Sequence, residues 1–303
     1  MEVDERSDGQ RLDNFLLREC PGVPKTRLYR AIRKGEIRVD KGRARAERRL
    51  RIGQQVRIPP LQISDRPTSA APKGWQERLE GSILFEDDAL LAINKPTGIA
   101  VHGGSGLNFD LIETLRAMHG RWQKLELVHR LDRDTSGVLL LAKKPAALRT
   151  MHALFRQHKG VRKTYQALVL GRWSKSLSVV DAPLKRFELQ SGERRVAVAA
   201  DGKQSSSAFR VLELYPRCSF IEVEPFTGRT HQIRVHAAHS GHPVLGDEKY
   251  GNEAAEALAR DLQLRRLFLH AASLRFRYVD HTIELEAPLG EELERTLEQA
   301  RKR

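Results

Sequence analysis

Cysteine is nearly absent from this chain. Cys20 and Cys218 are its two, far apart in sequence and in no spacing that would hold a metal. Free thiols in a reducing compartment are therefore expected, which points to the cytoplasm. Long apolar stretches are missing as well. No purely aliphatic run exceeds the five residues Val138–Ala142, far below the roughly 20 residues of a membrane span. The first ten residues, MEVDERSDGQ, are polar and acidic, so no secretory leader is expected there. No fixed-period repeat or low-complexity tract is present. Export, membrane insertion and disulfide scaffolding drop out together.

What is plentiful is positive charge. The 303 residues carry 53 Lys and Arg against 39 Asp and Glu, a net of +14. Residues 10–60 hold 15 basic and 5 acidic side chains, so the remainder is near neutral. A basic segment joined to a near-neutral body suggests a module that grips a polyanion, nucleic acid before membrane surface, although a merely solvated basic face is the plainer alternative. Within that segment Leu12, Phe15 and Leu16 recur at helical spacing, as do Leu28 and Ile32. Arg27, Arg30 and Lys34 fall three to four residues apart and share another helical face. EIRV and QQVRI alternate like half-buried strands around the basic loop KGRARAERRL, which contains Arg43 and Arg45. Helix face and loop together predict a phosphate-binding surface.

Residues 61–78, rich in proline, serine and small side chains, read as a linker. Residues 79–303 form the second domain. ILFEDDALLAINKP predicts two short strands around an acidic turn, and LIETLRAMHG a helix. SGVLLLAKK predicts a buried strand, and AALRTMHALFRQH a helix with Leu148, His152 and Phe155 on one face. TYQALVLGRW and CSFIEVEP read as further strands. Many strands with a few helices argue an α+β fold on a largely antiparallel sheet.

The densest polar cluster is HRLDRDTSG, residues 129–137, set between two apolar strand-like runs. Loops between buried strands commonly display functional side chains. Asp132 and Asp134 are flanked by Arg130 and Arg133, and a neighbouring guanidinium favours an ionised carboxylate able to act as a nucleophile. An ion-paired hairpin loop would look the same on these grounds. His231, His236, His239 and His242 lie within twelve residues, and such a group could suggest a metal site. However, the chain has no C-x-x-C, which a zinc-dependent RNA deaminase needs, and no metal is expected.

HRLDRDTSG resembles the signature of the pseudouridine synthases of the RluA group. NKPTGIAVH (94–102), VRKTYQALV (161–169) with Lys163 and Tyr165, and TGRTHQIRVH (227–236) followed by GHPVLGDEKYG (241–251) match further motifs of that family in the same order. The pattern RLDNFL…KTRLYRAIRKGEIRVDKG…LRIGQQV resembles the RNA-binding module of small-subunit ribosomal protein S-four. It departs at Asp40-Lys41-Gly42, where Asn-Gly is usual. HGGSGL (102–107) and APLKRFELQSGERRV (182–196) are similar to subgroup C of the large-subunit ribosomal synthases, with the sister subgroup D as the alternative.

The resemblance implies a pseudouridine-synthase catalytic domain behind a small S-four-like domain at residues 10–60. It implies isomerisation of several uridines in large-subunit (23S) ribosomal RNA, naked or in an assembly intermediate, by a cytoplasmic monomer without a cofactor. It assigns Asp132 as the catalytic carboxylate, Arg234 as its cation with Arg229 as second choice, Tyr165 against the uracil and as a candidate to take the C5 proton, and Arg130 as the side chain that fills the space of a flipped base. Asp134 is given no role. A non-catalytic ribosome-assembly factor and a metal-dependent hydrolase are the competing readings.

Overall fold

The computed structural model describes residues 1–20, 23, 25–61, 74–102, 110–157 and 160–302. The chain divides into two compact units, Met1–Ala70 and Ala71–Arg303.

In the first unit the helical spacings become Leu12–Glu19 (α1) and Lys25–Lys34 (α2). Leu12, Phe15, Leu16, Leu28 and Ile32 are buried in one core. Pro21 and Gly22, expected to end α1, lie outside the described residues. Arg38–Val39 (β1), Gly42–Arg43 (β2) and Val56–Arg57 (β3) make a small antiparallel sheet in the order β2-β1-β3. Asp40 and Lys41 form the two-residue turn between β1 and β2, at φ 50° and 67°. Asn-Gly fits such a turn with least strain; here the Asp40 carboxylate accepts from Gln54 Nε2 at 2.7 Å and Gln55 N–H at 2.9 Å. The unit begins before residue 10. The terminal ammonium of Met1 donates to the Val56 carbonyl at 2.8 Å, and Val3 is buried. One apolar side chain is too short a pattern to show periodicity.

Of the expected linker 61–78, residues 62–73 lie outside the described residues. Residues 75–78 open a short helix, Trp75–Glu80 (α3), whose Leu79 is buried and whose Trp75 packs at the edge of the same cluster.

The second unit continues with Ile83–Glu86 (β4), Leu90–Lys95 (β5), Leu111–Met118 (α4), Glu126–Leu127 (β6), Ser136–Ala142 (β7) and Pro145–Gln157 (α5). Next come Val161–Leu170 (β8), Val179–Asp181 (β9), Leu184–Glu188 (β10), Arg194–Val198 (β11), Ser206–Leu214 (β12) and Cys218–Pro225 (β13). Gln232–His239 (α6), Glu253–Asp261 (α7), Leu269–Tyr278 (β14), His281–Glu286 (β15) and Glu291–Lys302 (α8) complete it. A ten-stranded sheet runs β4-β5-β7-β14-β8-β13-β12-β9, with β15 also on β14 and β6 on β7. Its one parallel pair is β7 with β14, so the expected largely antiparallel α+β sheet is what forms. β10 and β11 make a separate hairpin.

Alternate residues of the central strands feed two cores. Leu91, Ile93, Leu139 and Leu141 pack with α4, whereas Leu90, Ala92, Val138 and Leu140 pack with α5. Burial on both faces is why Val138–Ala142 is apolar without alternation. On α5 the buried centre is Ala147 and Met151; Leu148 and Phe155 lie at its edge, and His152 is exposed.

The junction of β7, β14 and β8 positions the site. Gly137 pairs with Ala271, and Ala271 with Tyr165. A Cβ on Gly137, at φ +112°, would meet the Ala271 carbonyl oxygen at 2.2 Å. Glycine at the end of HRLDRDTSG is what lets the strands approach, so it fixes where the loop before it emerges.

Candidate active site

Residues 129–135 leave the sheet as a loop tied down from several sides. The Gly98 N–H and the Lys95 ammonium both donate to the Arg133 carbonyl, at 2.9 and 3.0 Å. Thr97 Oγ1 donates to the Asp134 carbonyl at 2.8 Å, and Leu131 is buried in the α4 core. Lys95 also donates to the carbonyls of Pro96 and Ile99, so all three of its protons are used, and burial pulls its pKa down to about 7. The NKPTGIAVH segment thus serves as the floor on which the loop rests.

The two carboxylates of the loop part company. Asp134 pairs with Arg133 at 3.0 Å on the exposed side. Asp132 lines a cleft of about 520 Å³ and is 31% exposed. The flanking arginines are not its partners. Arg234 Nη1 stands 3.7 Å from Asp132 Oδ2, and His231 Nε2 3.9 Å from the same oxygen.

Both side chains come from the start of α6, a helix buried from Gln232 to Ala237. Gln232 organises the turn that leads into it. Its Oε1 accepts from Thr227 Oγ1 and the Arg229 N–H, while its Nε2 donates to the Ser206 carbonyl and Ser207 Oγ. Arg234 makes its bidentate contact with Asp247, not with Asp132: Nε donates to Oδ2 at 2.7 Å and Nη2 to Oδ1 at 2.6 Å. Asp247, with no exposed side-chain surface, also accepts from the N–H groups of Lys249 and Tyr250. An arginine paired with a buried carboxylate is one that can stay buried beside the cleft, and its Nη1 edge is left facing Asp132. Gly246, at φ +73°, lets this turn pass 2.0 Å, from a would-be Cβ, beneath the Arg266 carbonyl.

Tyr165 lines the cleft from β8. Burial, and then the charge of Asp132, push its phenol well above the ordinary tyrosine range, so the environment shifts it away from base chemistry. Its neighbour in the K-x-Y pair, Lys163, is lowered by burial. His129 is held neutral: burial pulls it down to about 3, its Nε2 accepts the Leu140 N–H at 3.0 Å, and its ring stacks on Phe155. Arg130 is exposed, lines the cleft and has no hydrogen-bond or ion-pair partner among the described residues. Arg229 donates through Nε to the Gln204 carbonyl at 3.1 Å on the rim, and Arg186 of the β10–β11 hairpin bonds Thr230 there.

The grouped histidines turn in different directions. His236 is buried against Ser205, Ser207 and the Ala182 carbonyl, His242 bonds the Leu170 carbonyl, and His231 bonds Tyr250. Among the described residues no three His, Cys, Asp or Glu side chains are arranged to hold a metal ion.

In the first unit Arg30, Lys34, Arg43 and Arg45 are exposed, without hydrogen-bond or ion-pair partners among the described residues, whereas Arg27 pairs with Glu36 at 2.9 Å. Arg43 lies over Gly35, the residue that follows α2. Sequence reasoning passed over Asp247, Tyr250 and Lys95, and weighed His231 only as one of a group of candidate metal ligands. The signal for Asp247 was a carboxylate set between glycines in VLGDEKYG.

Residues 89–239 match the family model for RNA pseudouridylate synthases. The chain is 48% identical, over 99% of its own length and 94% of the other's, to the ribosomal large subunit pseudouridine synthase C of Haemophilus influenzae. It is 48% identical, over 97% and 93%, to the protein of that name from Escherichia coli strain K12. Among solved structures, human RNA pseudouridylate synthase domain containing 4 aligns over 75% of this chain and 95% of its own at a TM-score of 0.63 and 26% identity. No helix of the described residues is long and apolar enough to cross a membrane. Motif order, sheet and cleft agree with these likenesses, and the chain belongs to the RNA pseudouridine synthase family.

Proposed function

We propose that this chain isomerises several uridines of large-subunit ribosomal RNA to pseudouridine, with Asp132 as the reacting carboxylate and no metal or redox partner. One observation carries the reading: Asp132 is the carboxylate presented to the cleft, with Arg234, itself fixed by buried Asp247, facing one oxygen at 3.7 Å. The reaction breaks N1–C1′, forms C5–C1′ and moves one proton from C5 to N1, so nothing is oxidised or lost. A carboxylate beside C1′ or the ring is the group it requires. A stacked base is out of reach, and flipping it costs a few kcal/mol. The cleft volume, about 520 Å³, lies in the range that encloses a small-molecule-sized group.

In this reading unpartnered Arg130 fills the vacated stack, Tyr165 lies against the uracil as a neutral phenol, and Arg229 meets phosphate at the rim. Arg27, Arg30, Lys34, Arg43 and Arg45 of the first unit, an S-four-like domain, grip the RNA backbone. The relatives' names and the HGGSGL and hairpin motifs favour subgroup C; residues 103–107 of the former lie outside the described residues. The enzyme acts as a cytoplasmic monomer on 23S RNA or an assembly intermediate. Deleting the gene and mapping pseudouridine across ribosomal RNA tests this. Loss at several large-subunit positions, restored by wild type and not by Asp132→Asn, is expected. Unchanged large-subunit RNA would overturn the substrate, and restoration by Asp132→Asn would overturn the catalytic residue.

A further inference from the structure

We propose that His231, oriented by Tyr250, is a second positioning residue for Asp132, and that together with Arg234 it holds Oδ2 so that Oδ1 is the oxygen that meets the substrate. The proposal rests on the reading of Asp132 as the reacting carboxylate. His231 occupies the residue before α6 in the left-handed region, at φ 53°. A non-glycine residue there is uncommon and persists only where the surroundings hold it. That backbone turns the imidazole into the cleft, 16% exposed, with Nε2 3.9 Å from Asp132 Oδ2.

The tautomer follows from the bonds behind it. Tyr250 Oη accepts the Val196 N–H at 3.1 Å and sits 2.7 Å from His231 Nδ1. The backbone N–H can only donate, which leaves Oη its own proton, and in the proposed arrangement that proton points to the ring nitrogen. Nδ1 is then the acceptor, and the imidazole proton is on Nε2, facing the carboxylate. Burial lowers the pKa of His231, which keeps the ring neutral and this tautomer in place. Tyr250 aligns both side chains at once: its hydroxyl sets His231, and its ring lies under Arg234, whose Cζ is 5.1 Å from the ring centroid. The Val196 N–H ties the arrangement to the β10–β11 hairpin.

Three variants of the full chain separate the roles, assayed for tritium release from large-subunit ribosomal RNA transcribed with C5-tritiated uridine. His231→Asn suits the left-handed backbone and keeps an acceptor for Tyr250, but its amide is too short to reach Asp132. His231→Gln restores a donor near the Nε2 position. Tyr250→Phe removes one oxygen and leaves the ring under Arg234. His231 Nε2 faces Asp132 Oδ2 at 3.9 Å; if that contact tightens to a hydrogen bond in the substrate complex, its loss implies a decrease in kcat of about ten- to a hundredfold for His231→Asn, with KM and the thermal midpoint near wild type. Recovery of most of that loss in His231→Gln and a smaller decrease, about tenfold, in Tyr250→Phe are expected. The proposal is overturned if His231→Asn keeps kcat within twofold while Asp132→Asn is inactive, or if Gln is no better than Asn. An active Asp132→Asn would instead remove the reading beneath it, so the two failures are told apart.

Discussion

The two units use the same residue type in opposite ways. In the first, Arg30, Lys34, Arg43 and Arg45 stand in solvent without hydrogen-bond or ion-pair partners among the described residues. In the second, Arg234 is 5% exposed and has its counter-ion locked in a bidentate pair, and Lys95 is buried with three carbonyls around it. Free cations act by number: each phosphate they neutralise releases counter-ions, and no single geometry is required. Buried cations act by position, and their value depends on every bond behind them. Arginine content alone therefore does not separate the two uses; burial and bonded partners do.

The sharpest way to break that contrast is Asp247→Asn. It keeps the volume and removes the charge that Arg234 is buried against, and breaking a buried pair costs about 3–5 kcal/mol. Urea unfolding should show a destabilisation of that size in the second unit, and turnover should collapse. A variant of wild-type stability and rate would mean that Arg234 does not depend on Asp247. Next in size is the quadruple change of Arg30, Lys34, Arg43 and Arg45 to alanine. At about 0.7 in log–log salt slope per phosphate on single-stranded RNA, it should flatten the affinity–salt plot by up to about 3 and leave single-turnover chemistry at saturation intact. An unchanged slope would show that these side chains do not meet phosphate. Between the two kinds of site stands Tyr165. Its phenol is pushed upward by burial and by Asp132, so the rate of the chemical step should stay flat from pH 8 to 10. A tenfold rise per pH unit would mark an ionised tyrosine as the base.

How much of this could be read in advance follows the physics of each element. Strands such as Ser136–Ala142 and Cys218–Pro225 were legible because their apolar runs are local. The loop that presents Asp132 was legible as a polar island between such runs. What the sequence hid are contacts between residues far apart in it. Arg234 finds Asp247 thirteen residues on through a glycine turn, and nothing local says that Asp132 would be left with one guanidinium edge. His129 looked like part of the reactive cluster, but it accepts a ladder N–H from Leu140 and is structural. The reason for Gly137 is the Ala271 backbone, reached only through strand pairing across more than a hundred residues.

The smallest effect expected lies in the first unit, at the one place where it behaves like the second. Asp13 is 5% exposed and accepts from Arg11 Nε and Nη2 at 3.1 and 2.7 Å, from Tyr29 Oη at 2.7 Å and from the Asn14 N–H. Burial works to raise its pKa, but the bonds from Arg11 and Tyr29 outweigh it and the carboxyl is held below its ordinary value. A carboxyl depressed in the folded state contributes stability above its unfolded pKa, about 3.9, and loses that contribution as pH falls through the lower folded value. Asp13→Asn should therefore cost about 1.5–3 kcal/mol at pH 7, the range for hydrogen bonds to a charged group. The deficit should shrink below about pH 4, as the wild-type carboxyl also takes up its proton. Hydrogen exchange of the amides in α1 and α2 reads this unit separately, since the tryptophans Trp75, Trp122 and Trp173 all belong to the other. A deficit that persists unchanged to pH 3 would mean that the side chain's shape, and not its charge, is what the unit uses.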